Sequence, residues 1–320
     1  MKTLIISIIF IVCAISLSAQ DHPSGFPILS GHYLGQKPPG MTPELFAPGI
    51  VSTGNHEHSR IEFSKDGNEM YWAVIPVVEG KFQLENQKIW YTQKGNTGWS
   101  KPKPLSFDLE RSNDPTIDNR TQNFYFKSAV MEDPLYLKST VWVKSVKDTS
   151  WENVKQSHNV LPQIEGKGTM SFCFASNGNL YFDLGGPDET GDWSWNIYIK
   201  EFNDSKYQEQ KLLEGGINDG KINYSPWISP DESYLIWASG REGNFGHGDL
   251  YISFRNKNGS WSNTINMGDK INTEHQERFP SVSPDGKYLF FARHPDSITY
   301  SDFYWVSAKI IEDLKPKECK

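Results

Sequence analysis

The 320 residues are 37% hydrophobic and 13% aromatic, which supplies enough apolar surface for a folded core and excludes wholesale disorder. A net charge of -7 argues against nucleic acid as a partner, because phosphate binding needs a basic surplus. With 3 cysteines and no zinc-finger spacing, the chain is not a disulfide or zinc scaffold.

Residues 1–19 have the composition of a secretory signal peptide. Lys2 precedes an almost wholly apolar stretch over 4–17, and small residues lead up to an expected cleavage site after Ala19. The apolar stretch is short for a transmembrane span and stops at Asp21; an uncleaved anchor is the alternative. We expect export to the periplasm or the medium, without a membrane span.

Both flanks of the remaining chain lack repeated features. Residues 20–42 are rich in proline and glycine and are expected to form an irregular leader, and residues 311–320 a loose tail. Cys173 lies in an apolar run and Cys319 is the penultimate residue. We expect a buried inert thiol and a thiol in the tail; a disulfide between them is the alternative.

An internal repeat organises residues 43–310. Each copy has an apolar strand, a turn such as Ser283-Pro284-Asp285-Gly286, and an aromatic strand. The anchor residues that end the apolar strands are Phe63, Ile117, Phe174, Ile228 and Val282, with steps of 54, 57, 54 and 54 residues. Such even spacing predicts one structural unit used five times, and the copies are called repeats one to five.

Each repeat is expected to contain four strands. The third strand is predicted at 89–91, 141–143, 197–199, 250–252 and 303–305, and the fourth opens at Trp99, Trp151, Tyr207 and Trp261. This pattern predicts an all-β fold, a single five-bladed β-propeller of four-stranded antiparallel blades. Repeat five ends after its third strand, so we expect the N-terminal segment 45–50 to supply the missing strand and close the ring.

Repeat four shows the most regular motif, with Tyr224-Ser225-Pro226-Trp227, Ser229-Pro230-Asp231, Ala238-Ser239-Gly240-Arg241 and Asp249-Leu250-Tyr251-Ile252. This motif resembles the TolB-type, WD40-like propeller repeat, and repeat five matches it from Arg278 to Arg293. Repeats two and three depart from it at Arg120-Thr121 and Asn177. The resemblance covers nearly all of residues 43–308 and implies the fold, but such propellers serve as scaffolds, receptors and enzymes alike.

Propeller geometry predicts where a ligand would bind. Loops entering the innermost strands and loops joining strands two and three open on one face, which we call the entry face. This acidic chain places basic residues and histidines there, which would attract an anionic ligand. The candidate catalytic residues are His58, Arg60, Lys167, Tyr224 and Arg278; the candidate substrate-binding residues are His56, Asn113, Asp114, Trp193, Trp195, Arg241, His247, Glu277 and Arg293; Lys221, His275 and His294 accompany them.

Each candidate has a structural alternative. Arg60 with Asp114, or Arg278 with Glu277, would form ion pairs between blades. Trp193 and Trp195 are expected to be exposed at the channel mouth, where indoles stack on sugar rings; packing on their own blade is the alternative.

No metal site is assigned from the sequence. His56 and His58 share a strand face and would supply two ligands of a divalent metal, but a third ligand is not identified. The run containing Asp188, Glu189 and Asp192 lacks a calcium-loop pattern and favours a solvated acidic loop.

Two functions from different classes follow. The first is elimination on uronic-acid oligosaccharides, which needs a cation on the carboxylate, a base and an acid. Arg60, Arg278 or Lys167 would be the cation, and His58, Tyr224 or His275 would move protons. This inventory is similar to that of propeller polysaccharide lyases, whereas a hydrolase needs two facing carboxylates. The second is a non-catalytic envelope propeller that binds a protein, peptide or glycan. In either case we expect a monomer.

Overall fold

The computed structural model describes residues 26–320, except 108, 130–138, 149, 188–189, 221, 297–299 and 320. The predicted signal peptide, Lys221, and Asp188 with Glu189 of the acidic run lie outside the described residues. The chain is all-β, as predicted, and three of its repeats form separate four-stranded antiparallel sheets. None of the helices in the described residues is long and apolar enough to span a membrane.

Repeats two, three and four each form a separate sheet whose strands follow chain order. The strands of repeat two are Asn113–Asp118, Asn123–Ser128, Thr140–Ser145 and Lys155–Ser157. Those of repeat three are Phe172–Phe174, Leu180–Pro187, Trp193–Lys200 and Lys211–Leu212. Those of repeat four are Asn223–Ile228, Tyr234–Ser239, Asp249–Phe254 and Ile265–Asn266.

Repeats one and five belong to one continuous sheet. Repeat one contributes His56–Glu57, Glu62–Phe63, Glu69–Ile75, Lys88–Gly95, Gly98–Trp99 and Lys103–Pro104, and repeat five contributes Gln276–Val282, Tyr288–Asp296 and Tyr300–Ser307. His56–Glu57 pairs in parallel with Tyr300–Ser307 at Ser301, and Glu44–Leu45 pairs antiparallel with the same strand at Trp305 and Tyr304, on the edge that Tyr288–Asp296 leaves free. The N-terminal segment therefore lies beside the third strand of repeat five.

The anchors lie in the first strand of each repeat, and the third strands lie where the sequence predicts them. The fourth strands that pair with them begin four residues after the predicted aromatic positions, at Lys103, Lys155, Lys211 and Ile265. In repeats two and four the tryptophan instead packs under a cation at the end of the third strand, with Lys144 Nζ 4.2 Å from the Trp151 ring and the Arg255 guanidinium 4.3 Å from Trp261.

Proline-linked bulges interrupt three of the first strands. Asp114, Ser225 and Phe279 have φ values of 52°, 53° and 54°, and a proline follows each of them. Proline cannot donate a ladder hydrogen bond, so the pairing shifts at these positions. The bulges therefore free backbone carbonyls for contacts between repeats, such as that of Pro226, which accepts from Arg60.

Both flanks are packed against the repeats. The leader has one 3₁₀ turn, Tyr33–Gly35, and Tyr33 donates a hydrogen bond to Asp285 at 2.8 Å. The tail forms an α-helix, Lys309–Leu314, that buries Ile310 and Ile311. The expectation of a loose tail is therefore wrong, because its apolar side chains cover the core of repeats four and five.

The remaining elements are short, and the described cysteines are free thiols. The hairpins are Val77–Val78 with Lys81–Phe82 and Phe202–Asn203 with Lys206–Tyr207, and the other 3₁₀ turns are Leu84–Asn86 and Lys317–Cys319. Cys173 is buried as expected, and burial raises its pKa to about 11, consistent with an inert thiol. Cys319 donates to Asn256 Oδ1 at 3.1 Å.

Candidate functional site

Arg60 lies where the first strands of four repeats meet. It is completely buried and donates hydrogen bonds to the carbonyl oxygens of Phe172 (2.8 Å) and Pro226 (3.3 Å), and to Ser171 Oγ. The carboxylate of Asp114 is 3.8 Å from its guanidinium. These contacts join repeat one to repeats two, three and four. They agree with the structural alternative for Arg60 and Asp114, an ion pair between blades.

Asp114 also contacts a lysine that the sequence analysis missed. Lys127 Nζ is 3.9 Å from Asp114 Oδ2 and donates to the carbonyls of Thr169 and Met170. Burial lowers the pKa of Lys127 and raises that of Asp114. Asn113, a predicted substrate-binding residue, is buried opposite Lys127 in the ladder. The sequence signal for Lys127 is a single lysine near the end of the aromatic strand Asn123–Ser128.

Asp183 is a second buried charge that the sequence analysis missed. Its carboxylate accepts from the backbone N–H groups of Met170 at 2.6 Å and Ser225 at 2.8 Å, so it links repeats three and four. Burial raises the pKa of Asp183 to about 7. Its position within an otherwise apolar strand is the sequence signal for a buried, hydrogen-bonded acid.

Three histidines surround Arg278 on the entry side. Arg278 Nε donates to His294 Nε2 at 2.5 Å, and its Nη2 atom lies 3.0 Å from His56 Nε2. The His56 ring centroid is 5.2 Å from that of His58 and 4.6 Å from that of His294. This group, named here the histidine cluster, comprises His56, His58, Arg278 and His294. Arg278 does not form the ion pair with Glu277 that was considered for it, since Glu277 pairs with Arg293.

The histidine cluster favours neutral imidazoles. Burial, followed by the charge of Arg278, lowers the pKa of His56 to about 2 and those of His58 and His294 well below their usual range. Lys127 and Arg111 contribute in the same direction at His58. His58 is partly exposed, whereas His56 and His294 are buried. The cluster is therefore a cationic site with a solvent-accessible neutral imidazole.

Arg111 was also missed by the sequence analysis, although it directly precedes the predicted residues of repeat two. It is buried, and its Nε and Nη2 atoms donate to Gln87 Oε1 at 3.0 and 2.8 Å. The positive charge of Arg111 helps to lower the pKa of His58. The charge therefore adds to that of the histidine cluster.

The candidate catalytic residues Tyr224 and Lys167 lie in different surroundings, a buried strand and a loop. Tyr224 is buried, and its hydroxyl accepts from Gln276 Nε2 at 2.8 Å. Burial raises the pKa of Tyr224 to about 12, so the phenol stays protonated near neutrality. Lys167 donates to the carbonyl of Pro187 at 2.7 Å and so tethers the insertion that precedes Trp193.

Arg241 is held within repeat four. Its Nη2 atom donates to Ile217 O at 3.0 Å and Asn223 Oδ1 at 3.1 Å, and its guanidinium stacks 4.5 Å from the Tyr251 ring centroid. The guanidinium is fully engaged in joining strands of its own sheet. We therefore assign it a structural contact at this position rather than a ligand contact.

Arg293 has the same arrangement in repeat five. It donates to Ile271 O at 2.8 Å, stacks 4.5 Å from the Tyr304 ring centroid and forms an ion pair with Glu277 at 2.8 Å. Glu277 is completely buried and also accepts from the Thr273 hydroxyl at 2.7 Å. Arg293 and Glu277 thus satisfy each other within the sheet.

Only one of the two predicted tryptophans is exposed. Trp193 is 39% exposed, whereas Trp195 is 6% exposed and its indole covers Gly185, where a Cβ would come within 2.2 Å of the ring. The expectation of an exposed Trp195 is wrong, because the glycine lets the indole pack on its own strand pair.

His247 is exposed on a neighbouring loop, and its backbone N–H donates to His275 O.

Exposed apolar side chains concentrate on the entry face. Among the described residues six large hydrophobic side chains are exposed, and five of them lie before a first strand or at the connection between strands two and three, the side predicted for the entry face. We call these five the apolar rim: Val78, Ile164, Trp193, Phe245 and Tyr300. Such a concentration of exposed apolar surface is typical of a binding surface.

The opposite face, which carries the turns after the anchors, has a cavity of about 530 Å³. Strand ends such as Ile61, Ile117 and Ile228 line it, together with Glu62, whose pKa burial raises to about 7. Histidines do not line this cavity in the described part of the chain. The volume of this cavity alone is a weak guide to the functional site, because the clustered cations and imidazoles lie towards the entry face.

A metal site is not apparent in the described residues, where His, Cys, Asp and Glu do not form groups of three or more suited to bind an ion. His56 Nε2 faces the Arg278 guanidinium. A metal ion bound by His56 and His58 would need the position that this cation occupies.

Comparisons with solved structures identify the fold. A glycoside hydrolase matches with a TM-score of 0.55 at 11% identity, over 89% of this chain and 94% of the other. A thermostable family-43 glycoside hydrolase matches with a TM-score of 0.51 at 13% identity, over 78% of this chain and 87% of the other. TolB from Acinetobacter baumannii has a TM-score of 0.47 at 14% identity; the match covers 78% of this chain and 56% of TolB.

The first two matches and the repeated four-stranded sheets confirm the predicted TolB-like β-propeller fold. Identities this low show the fold and leave the activity open. Family models and curated protein sequences do not match this chain.

Proposed function

We propose that this chain is an exported five-bladed propeller that binds acidic oligosaccharides at its entry face and cleaves them by elimination. The signal-peptide pattern over residues 1–19 supports export. The five evenly spaced anchors support the blade count, and the pairing of Glu44–Leu45 with Tyr300–Ser307 supports closure of the ring by the N-terminal strand.

The observation that carries this proposal is the histidine cluster with Arg111 and Lys127 beside it. Arg278 donates to His294 Nε2 at 2.5 Å and lies 3.0 Å from His56 Nε2, so the cluster presents a cation and neutral imidazoles together. A uronate carboxylate would form charge-assisted hydrogen bonds with these donors. The apolar rim around the same mouth would contact flanking sugar rings through Trp193, Phe245 and Tyr300.

The proposed chemistry assigns His58 as the base and Tyr224 as the acid. Neutral His58 would take the proton from the carbon beside the carboxylate, while Arg278 stabilises the negative charge that develops there. The electrons of that C–H bond would form a carbon–carbon double bond as the glycosidic C–O bond breaks. Protonated Tyr224 would give its proton to the leaving oxygen. Arg60, originally a candidate for the carboxylate, is assigned to the joint between repeats, and Lys167 to the insertion loop.

A second candidate is a non-catalytic envelope propeller that binds a protein, peptide or glycan. The buried networks of Arg60, Arg241 and Arg293 favour it, because several predicted functional residues already satisfy one another. Under this proposal the apolar rim carries the binding and the histidine cluster is structural.

Turnover of oligouronates by His58→Ala separates the two proposals. We expect ultraviolet absorbance from the new double bond in the parent protein and a loss of about 100-fold or more in kcat for His58→Ala, with little change in Tm. His158→Ala, a substitution of an exposed histidine outside the candidate site, serves as the control and should retain full turnover. Tight binding without turnover by the parent would support the second candidate, and absence of both would contradict the oligouronate proposal.

A further inference from the structure

The seam between repeats one and five brings two carboxylates together. His56–Glu57 runs parallel to Tyr300–Ser307 with His56 beside Ser301, so Glu57 lies next to Asp302. Neighbouring strands are about 4.8 Å apart, and adjacent like charges destabilise a sheet. Burial, followed by the charge of Asp302, raises the pKa of Glu57 well above its usual range. Arg293 lies opposite Asp302 in the neighbouring ladder but forms its ion pair with Glu277, so the Glu57–Asp302 pair still calls for a further positive charge or a shared proton.

Repeat five has a cation opposite its buried glutamate, and repeat one lacks this cation. Glu277 accepts from the backbone and hydroxyl of Thr273, four residues earlier, and Glu57 accepts from the same two groups of Thr53. Arg293 lies opposite Glu277 in the ladder and forms an ion pair with it at 2.8 Å. The residue opposite Glu57 is Val74. Repeat one thus keeps the acid and its threonine but has an apolar side chain where repeat five has a cation.

The hydrogen bonds around the two carboxylates leave one oxygen for another ligand. Glu57 Oε1 accepts from Thr53, and Asp302 Oδ1 accepts from the Gly54 N–H at 3.4 Å. Glu57 is completely buried, and its Oε2 atom has no hydrogen-bond partner among the described residues. A buried carboxylate oxygen without a partner is costly, which points to a ligand at this position.

We propose that Glu57 and Asp302 bind a hard metal cation that takes the place of the Arg293 guanidinium at this seam. Calcium and similar ions prefer carboxylate, hydroxyl and carbonyl oxygens, and the Thr53–Gly54 loop supplies the last two kinds beside the pair. Because Glu57 belongs to repeat one and Asp302 to repeat five, the ion would join the two ends of the chain. It would stabilise the fold whether or not the entry face is catalytic.

Thermal unfolding of the full chain with calcium, compared with excess chelator, tests this proposal. At a calcium concentration about 100-fold above Kd we expect Tm to rise by roughly 3–6 °C. Glu57→Gln and Asp302→Asn should each abolish the rise. The matched control Glu277→Gln removes the equivalent carboxylate that already has its arginine, so the calcium response should persist.

Magnesium and sodium are tested in the same way. A parent protein whose Tm is unchanged by all three ions would overturn the proposal in favour of a shared proton. A response that disappears equally in Glu277→Gln would also overturn it. Should Glu57→Gln fail to fold, the partly exposed Asp302 provides the second variant, with calcium binding measured by calorimetry.

Discussion

Arg60 and Arg278 are both buried arginines in the first strands, and the sequence suggested the same catalytic role for both. Arg60 is surrounded by backbone carbonyls, Ser171 and the carboxylate of Asp114. Arg278 contacts the imidazoles of His56 and His294. The described contacts of Arg60 include a carboxylate, and those of Arg278 include two imidazoles whose pKa values burial lowers.

This difference separates a structural cation from one suited to a ligand. A buried cation that is paired with a carboxylate is already neutralised, and removing it leaves its partner uncompensated. A buried cation among neutral imidazoles keeps a positive potential, which an anionic ligand can satisfy. The identity of the neighbours, rather than the residue type or depth, therefore indicates function here.

The largest effect is expected for Arg60→Ala. The substitution leaves Asp114 with one cation fewer and removes the donors to Phe172 and Pro226, so the free energy of unfolding should fall by about 3–5 kcal/mol. Urea unfolding measures this, with Lys211→Ala, at an exposed ion pair with Glu201, as a control expected to stay within about 0.5 kcal/mol. A loss below about 1 kcal/mol for Arg60→Ala would contradict its structural role.

A smaller loss of stability but a larger loss of binding is expected for Arg278→Gln. The substitution removes its hydrogen bonds to the neutral rings of His56 and His294, so the free energy of unfolding should fall by about 1–2 kcal/mol. Affinity for an oligouronate should fall by about 10- to 100-fold, because a charge-assisted contact to the carboxylate is lost. Calorimetric titration measures the affinity. A stability loss equal to that of Arg60→Ala would remove the distinction between the two arginines.

The smallest effect concerns pH. Burial and Arg278 lower the pKa values of His56, His58 and His294. A bound carboxylate favours the protonated rings and raises these values, so binding takes up protons and affinity should rise about three- to tenfold from pH 7 to pH 5.

Titrations in buffers of different ionisation enthalpy measure this proton uptake. Asp183 also titrates near this range, with a pKa of about 7, so Asp183→Asn is the informative control. Uptake that persists in this variant belongs to the histidines. Uptake that disappears in it would assign the pH effect to Asp183 instead.

The repeat architecture was accessible from the sequence, because each blade is built from contacts within about 50 residues. Val282-Ser283-Pro284-Asp285-Gly286 predicted a strand followed by a tight turn, and the structure has that strand ending at Val282. Trp195 illustrates the limit of local inference. Its polar, glycine-rich surroundings predicted exposure, yet Gly185, ten residues earlier, provides the space in which the indole packs.

Hydrophobic alternation and turn residues act locally, so the sequence by itself determined the all-β fold, the anchor positions and the face on which histidines and cations gather. The tertiary structure alone decided which of these charges satisfy each other. Arg60 meets Ser171 and Pro226 across 111 and 166 residues, and Glu57 meets Asp302 only at the seam. Such long-range pairing of charges depends on how blades pack, and it leaves no periodic signal along the chain.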